Sequence, residues 1–394
     1  MKRLAVFSHK LFRRTPDGFQ TTGGFAIQMD ALSPYFERVT LCVPVVEDAA
    51  FRGVGVTRRN ICLHPLPNYR GRMDFVRSVP SMRRGILAAL KHADLALIIM
   101  PGYVGALASI LCQRRGFPIF QWVVGDWGQN VQVRRHNPLT RWWVSTTWTP
   151  LLDRLTMRLT RAVLTFYNGR ILYDQGKPYH FTRVSSSIRE GDFYTREETA
   201  PTPPHRLLFV GRLSPEKGVS YLLKATALLA AKGKAVELHI VGMGSSEEEL
   251  SQQAQALSIA SLVYFHGFVP HGKTLRQLYR ESDVFILPSL QDQQPKVLME
   301  AMSQSLPVVA TNVGGIPSII QDGKNGLLVP PARAEAIAAA IDRVLSDDEL
   351  YRRLVSEGLA HVRAHTVEQE TARMMQIVAD YFHLRGFRDE ASTR

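Results

Sequence analysis

The sequence predicts an α/β protein built from two doubly wound domains. Short apolar runs alternate with stretches of helical periodicity, the pattern of a parallel sheet covered by helices on both faces. The alternation is most regular over residues 206–345. A Pro- and Glu-rich stretch at 195–205, with Glu197, Glu198, Pro201, Pro203 and Pro204, reads as a linker. The length of 394 residues suits two or three domains, and 45% hydrophobic with 21% charged residues gives ample core. The expected boundaries are 1–195, 206–364, and a C-terminal helix within 365–394.

In the first half, residues 3–8 read as the opening strand. Met1-Lys2-Arg3-Leu4-Ala5-Val6-Phe7 is too short an apolar stretch for a signal peptide. Thr21-Thr22-Gly23-Gly24 precedes helical spacing at Phe25, Ile27, Met29, Leu32 and Phe36. Paired glycines before a helix let backbone approach a phosphate, although a plain turn is the commoner reading. Val39 to Val43 is a second strand. Residues 47–80, rich in Arg, Pro and Gly, read as irregular. Leu95 to Met100 is a buried strand, followed by a helix over 103–115 and a strand over 118–124. Asp126 follows directly, between Gly125 and Trp127-Gly128. A carboxylate there lies at the functional edge of such a sheet, and it equally suits a helix cap. Trp142, Trp143 and Trp148 precede Leu151, Leu152, Leu155 and Leu159, while Arg154, Arg158 and Arg161 form one basic stripe. Such a stripe is either a solvated face or a contact with an anionic membrane surface. Ala162 to Phe166 is a further strand.

The second half predicts strands at Leu207–Val210, Val236–Val241, Leu262–Phe265, Val284–Leu287, Val308–Thr311 and Leu327–Val329. Helices are expected at 217–232, 246–257, 274–281, 295–304, 316–321 and 332–345, with a last one over about 366–386. Gly242-Met243-Gly244 follows a strand as a nucleotide-binding turn would, a weak signal alone. His266 follows the next strand, where a ligand contact and a capping role are both open. Between Ser282 and Pro317 the order is strand, loop, helix, strand. Pro295 fits the first helical turn, where its missing N–H costs nothing. Asp292 lies in the loop and Glu300 about two turns into the helix. A ligand in such a unit sits beyond the carboxyl end of the strand, at the helix N-terminus.

This segment resembles the acid–seven residues–acid signature of retaining, nucleotide-sugar-dependent glycosyltransferases of family 4. Asp292, Gln293 and Gln294 stand where that family usually has Glu, Gly and an aromatic; Glu300-Ala301-Met302 match it. Phe209-Val210-Gly211-Arg212-Leu213 and Glu216-Lys217-Gly218 resemble its phosphate-binding stretch. Gly314-Gly315-Ile316-Pro317 and Asp322-Gly323-Lys324-Asn325-Gly326 also resemble family motifs. The likeness is strong over 206–345 and weaker before it. It implies the GT-B fold, two Rossmann-like domains facing a central cleft, with the C-terminal helix crossing back to the first. It implies a nucleotide diphosphate sugar as co-substrate, no cofactor, and transfer with retention to a glycan or lipid-diphosphate-linked glycan, as in bacterial surface-polysaccharide assembly. Arg212 and Lys217 would meet the diphosphate, Glu300 the ribose and Asp292 the transferred sugar. Gly23, Gly24, Gly242, His266, Lys296 and Val297 would complete the donor contacts. Asp126 stands where many members place a His, and residues 47–80 would shape the acceptor side. No Asp-x-Asp occurs, so cationic side chains and helix N-termini are expected in place of a metal. An epimerase of the same fold and a silent sugar-binding partner subunit are the alternatives.

Charge adds an acceptor-side expectation. Residues 1–200 carry 28 Lys+Arg against 14 Asp+Glu, or +14; residues 201–394 carry 20 against 21, or −1, which sums to the whole-chain +13. A basic half serves nucleic acid, anionic lipid or a phosphorylated acceptor, and the chain has no nucleic-acid module signature. No apolar run approaches the roughly 20 residues that span a bilayer. Cys42, Cys62 and Cys112 are scattered and odd in number, as in a reduced cytoplasmic chain. The expected place is the cytoplasm, at the inner face of the membrane.

Overall fold

The computed structural model describes residues 2–16, 18–47, 53–69, 71–124, 149–168, 177, 179–196 and 202–382. The strands in chain order are β1 (Arg3–Phe7), β2 (Phe12–Thr15), β3 (Gly18–Thr21), β4 (Arg38–Val46), β5 (Val54–Gly55), β6 (Ile61–Leu66), β7 (Leu95–Met100), β8 (Ile119–Val123), β9 (Leu164–Asn168) and β10 (His180–Arg183), then β11 (His205–Val210), β12 (Val236–Val241), β13 (Val263–Phe265), β14 (Val284–Leu287), β15 (Val308–Thr311) and β16 (Leu327–Val329). The helices are α1 (Phe25–Leu32), α2 (Arg72–Leu90), α3 (Tyr103–Gln113), α4 (Thr149–Thr160), α5 (Val219–Ala231), α6 (Glu247–Ala256), α7 (Lys273–Arg280), α8 (Lys296–Ser303), α9 (Ala334–Ser346), α10 (Asp348–Arg363) and α11 (Val367–Phe382). The chain forms two compact units: residues up to Arg183 with those from Glu368 onward, and Val184–Val367.

In the first unit seven strands run parallel in the order β6-β4-β1-β7-β8-β9-β10. The short strands β2, β3 and β5 extend the far end of β4 at Val45 and Val46. Both faces of the sheet are buried because side chains alternate along each strand. Leu4 and Val6 of β1 point into one core, Ala5 and Phe7 into the other. The first core is closed by Phe25, Met29 and Leu32 of α1 and by Met374, Met375 and Val378 of α11. The C-terminal helix therefore packs on the first sheet. Arg183 ties it there: its guanidinium lies buried 4.1 Å over the Trp122 ring and donates to Met374 Sδ at 3.3 Å. Burial lowers its pKa to about 10, opposed by the charge of Glu370. The second core takes Met82 and Ile86 of α2 and Val104 and Leu111 of α3.

The second unit has six parallel strands in the order β13-β12-β11-β14-β15-β16. The chain steps outward from β11 to β12 and β13, then returns to place β14 on the other flank of β11. The sheet reverses direction between β11 and β14, and ligands of such sheets bind at that switch point, outside the carboxyl ends.

Several expectations change. Residues 47–80 are not irregular throughout: β6 and the first half of α2 lie there. Pro65 is tolerated because β6 pairs only with β4, so no second neighbour needs its amide. Pro80 stands on the exposed side of α2. The helix expected at 316–321 is a single 3₁₀ turn at Ile316–Ser318. Helix α10 was unexpected; Asp347 caps it, accepting the Leu350 N–H at 2.9 Å. The first unit ends at Arg183, earlier than residue 195, because the next segment is bonded into the second. Ser185 N–H donates to Gln294 Oε1 at 3.1 Å and Tyr194 N–H to Ser303 O at 2.9 Å. The Arg196 guanidinium meets Asp283, Tyr351 and the carbonyls of Arg280 and Ser282. Asp126, Trp142, Trp143, Trp148, residues 197–201 of the linker and everything after Phe382 lie outside the described residues.

Candidate active site

Two loops leave the switch point of the second sheet, 211–218 after β11 and 288–295 after β14. They are bonded together: Leu290 N–H donates to Glu216 O at 2.8 Å. Gly218, which opens α5, has φ +66°, and a Cβ there would stand 2.1 Å from Pro288 O. Only glycine gives both the left-handed turn and the close approach. A second pair of backbones meets behind. Gly315 N–H donates to Asp292 O at 3.0 Å, and a Cβ on Gly314 or Gly315 would fall within 1.8 Å of the Asp292 or Gln293 carbonyl oxygen. The Gly314-Gly315 motif thus holds the acidic loop in position.

Lys217 and Asp292 meet across this crevice. Nζ donates to Oδ2 at 2.5 Å, with the side chains 21% and 13% exposed. Ser289 Oγ donates to the same oxygen at 3.3 Å, and the Gln293 N–H to Oδ1 at 3.0 Å. Half-buried, the pair is screened less than a surface one. Arg212, from the same loop as Lys217, is exposed and forms no ion pair among the described residues. One cation is held and one is open, at the edge where sheets of this topology bind ligands.

Glu300 projects from α8 into a different set of contacts. Tyr279, wholly buried on α7, donates its hydroxyl to Oε2 at 3.1 Å, and His271 Nε2 lies 3.7 Å from Oε1. Burial, reinforced by the Glu300 charge, raises the Tyr279 pKa well above its usual value, so the hydroxyl stays a donor. These residues border a cavity of about 10 Å³, about one water. No direct contact joins Glu300 to Lys217 or Asp292. Ser289, Tyr279 and His271 were missed from the sequence; nothing local marks them, because each acts on a residue from another element.

The remaining expected donor residues are dispersed. Gly242 has φ +136°, its N–H donates to Gly267 O at 2.8 Å, and a Cβ would stand 1.8 Å from Gly211 O. Packing of the loops after β11, β12 and β13 accounts for this glycine. His266 Nε2 lies 2.9 Å from His239 Nδ1, in a stack with His239 and Tyr264 on the sheet's edge. Lys296 and Val297 form the first turn of α8, where amides have no intrahelical acceptor. Val297 also packs on the core. Gly23, with φ +68°, and Gly24, which starts α1, belong to the first unit.

The fold and this crevice define a class. The chain superposes on a sucrose-phosphate synthase from Thermosynechococcus elongatus with TM-score 0.73 at 18% identity, over 98% of this chain and 100% of that one. Anabaena HepE, solved in complex with UDP, gives 0.67 at 18% identity, over 96% and 100%. Two Rossmann-like domains with parallel sheets, as in GT-B glycosyltransferase structures, are thus the fold. Residues 192–361, most of the second unit, match the family described as glycosyl transferases group 1. An uncharacterized glycosyltransferase of Methanocaldococcus jannaschii is 35% identical over 178 residues, 45% of each chain. An amylovoran biosynthesis glycosyltransferase of Erwinia amylovora, AmsK, is 35% identical over 147 residues, 36% of each. Each match spans less than half of the relative's length. Among the described residues no helix is long and apolar enough to cross a membrane.

Proposed function

We propose that this chain transfers a glycosyl group from a nucleotide diphosphate sugar to a hydroxyl of a glycan or lipid-diphosphate-linked glycan, with retention and without a divalent metal. The observation that carries the reading is the Lys217–Asp292 pair beside the open Arg212, at the switch point of a group 1 domain. Arg212 forks to the diphosphate oxygens and Lys217 adds a second charge. As the bond from the anomeric carbon to the phosphate oxygen breaks, negative charge grows on the diphosphate. Both cations stabilise it, as a metal would elsewhere. The acceptor oxygen bonds to the anomeric carbon, and its proton passes to the departing phosphate oxygen. Asp292 holds Lys217 in place and accepts sugar hydroxyls. The first amides of α8 and the hydroxyl-accepting Glu300 serve the nucleotide side.

HepE's complex with UDP and the amylovoran role of AmsK support a uridine nucleotide donor and a surface-polysaccharide acceptor. The test is release of nucleoside diphosphate from a panel of donor sugars. Turnover should survive a chelator; loss on chelation with recovery by magnesium or manganese would overturn the metal-free part. No turnover with any donor would sink the whole reading.

A further inference from the structure

The basic stripe of α4 divides in the structure. All three arginines are exposed, but only Arg158 and Arg161, the latter just past the helix end, also line a cavity of about 260 Å³ with Met157, Thr160, Tyr167, Lys177 and His180. It lies between the C-terminal end of α4 and the strands β9 and β10, the latter at the sheet's edge. Its floor is a fixed polar network. His180 is buried, and its Nε2 lies 3.1 Å from Thr160 O; a carbonyl only accepts, so Nε2 carries the hydrogen. Nδ1 is then the acceptor facing the Tyr167 hydroxyl at 3.4 Å. Three cationic side chains line the walls, and among the described residues no acid does. Neither Arg158 nor Arg161 forms an ion pair among the described residues. The volume exceeds that of several waters at about 30 Å³ each.

We propose that this cavity is a binding site for a phosphoryl group, separate from the donor set of the second unit. Two guanidinium groups one helical turn apart match the oxygens of a phosphate, which guanidinium forks bind in pairs. Met157 lines the cavity and is exposed, and Leu151 and Leu155 are exposed further along the same helix, an apolar surface that a lipid headgroup would require; a soluble phosphorylated compound would fill the same cavity.

The test uses the full chain carrying Arg212→Ala and Lys217→Ala, so that phosphate bound by the donor residues does not contribute. Melting temperature is followed against inorganic phosphate, with ionic strength held by chloride. Sedimentation is followed with phosphatidylcholine vesicles, with and without phosphatidylglycerol. We expect phosphate to raise the melting temperature, an Arg158→Gln/Arg161→Gln variant to bind it about tenfold more weakly or worse, and Arg154→Gln to bind it unchanged. Co-sedimentation with phosphatidylglycerol that the double variant loses supports the site with a headgroup as its ligand. A phosphate effect without sedimentation supports it with a soluble ligand. No phosphate effect and no phosphatidylglycerol-dependent sedimentation, or equal responses in the double variant, would overturn the site.

Discussion

Lys217 and Asp292 stand 75 positions apart and meet at 2.5 Å, so each has a structural partner before any donor arrives. Arg212 forms no ion pair among the described residues, which makes it the side chain with most to gain from a diphosphate. Arg212→Ala should weaken donor binding by about 1.5–3 kcal/mol, the scale of a charged hydrogen bond, read by calorimetric titration. Asp292→Asn should lower turnover more than nucleotide affinity, because it loosens Lys217 and loses a sugar contact while leaving both cations; intact turnover would make the loop merely structural. Gly218→Ala should destabilise the second unit by at least the roughly 1–2 kcal/mol of a left-handed non-glycine residue, since its Cβ also meets Pro288 O. Equal denaturant midpoints would contradict this. His9 is a pH probe in the first unit. Burial first, then Lys10, lowers its pKa from 6.5 to about 4, and its Nδ1 meets no hydrogen-bond partner. The folded state resists protonation that the unfolded chain accepts. Its contribution is therefore present above pH 6.5 and lost as pH falls towards 4. At about 1.4 kcal/mol per unit the loss is on the order of 3 kcal/mol. His9→Phe should flatten that acid decline; an unchanged profile would refute it.

At the scale of elements, the strands of the second unit were legible because each is a short apolar run bounded by turn residues, as buried parallel strands are. The acidic loop and α8 were legible from Pro295 and the spacing of Asp292 and Glu300. What hid was decided by neighbours. Pro65 and Pro80 disguised β6 and α2, yet an edge strand and a solvent-facing helix side tolerate them. The acids Asp347, Asp348 and Glu349 are a readable start signal for α10. In the site, the likeness pointed to Lys217 and Asp292 separately, but their pairing depends on β11 and β14 lying side by side. The cavity beside α4 needs β9 and β10 folded against it, which no spacing reveals. For α11, Met375→Ala should cost about 2–5 kcal/mol, since Met375 is buried against the first sheet. Calorimetry should show the loss in the first unit's transition, with the second unit's unchanged.

For the molecule as a whole, the two units divide the charge as well as the chain. The first carries the excess of Arg and Lys, and the second is near neutral, so the open Arg212 at the switch point stands out against its surroundings. The central claim is that the second unit binds a nucleotide diphosphate through Arg212 and Lys217. Its most direct measurement is a thermal-shift screen of nucleoside diphosphates and their sugars on wild type, Arg212→Ala and Lys217→Ala. Ligand that binds only the folded chain raises its apparent stability by mass action. The account predicts that at least one nucleotide raises the melting temperature of wild type and that either substitution reduces or abolishes the rise. No shift with any nucleotide, or the same shift in all three proteins, would contradict it.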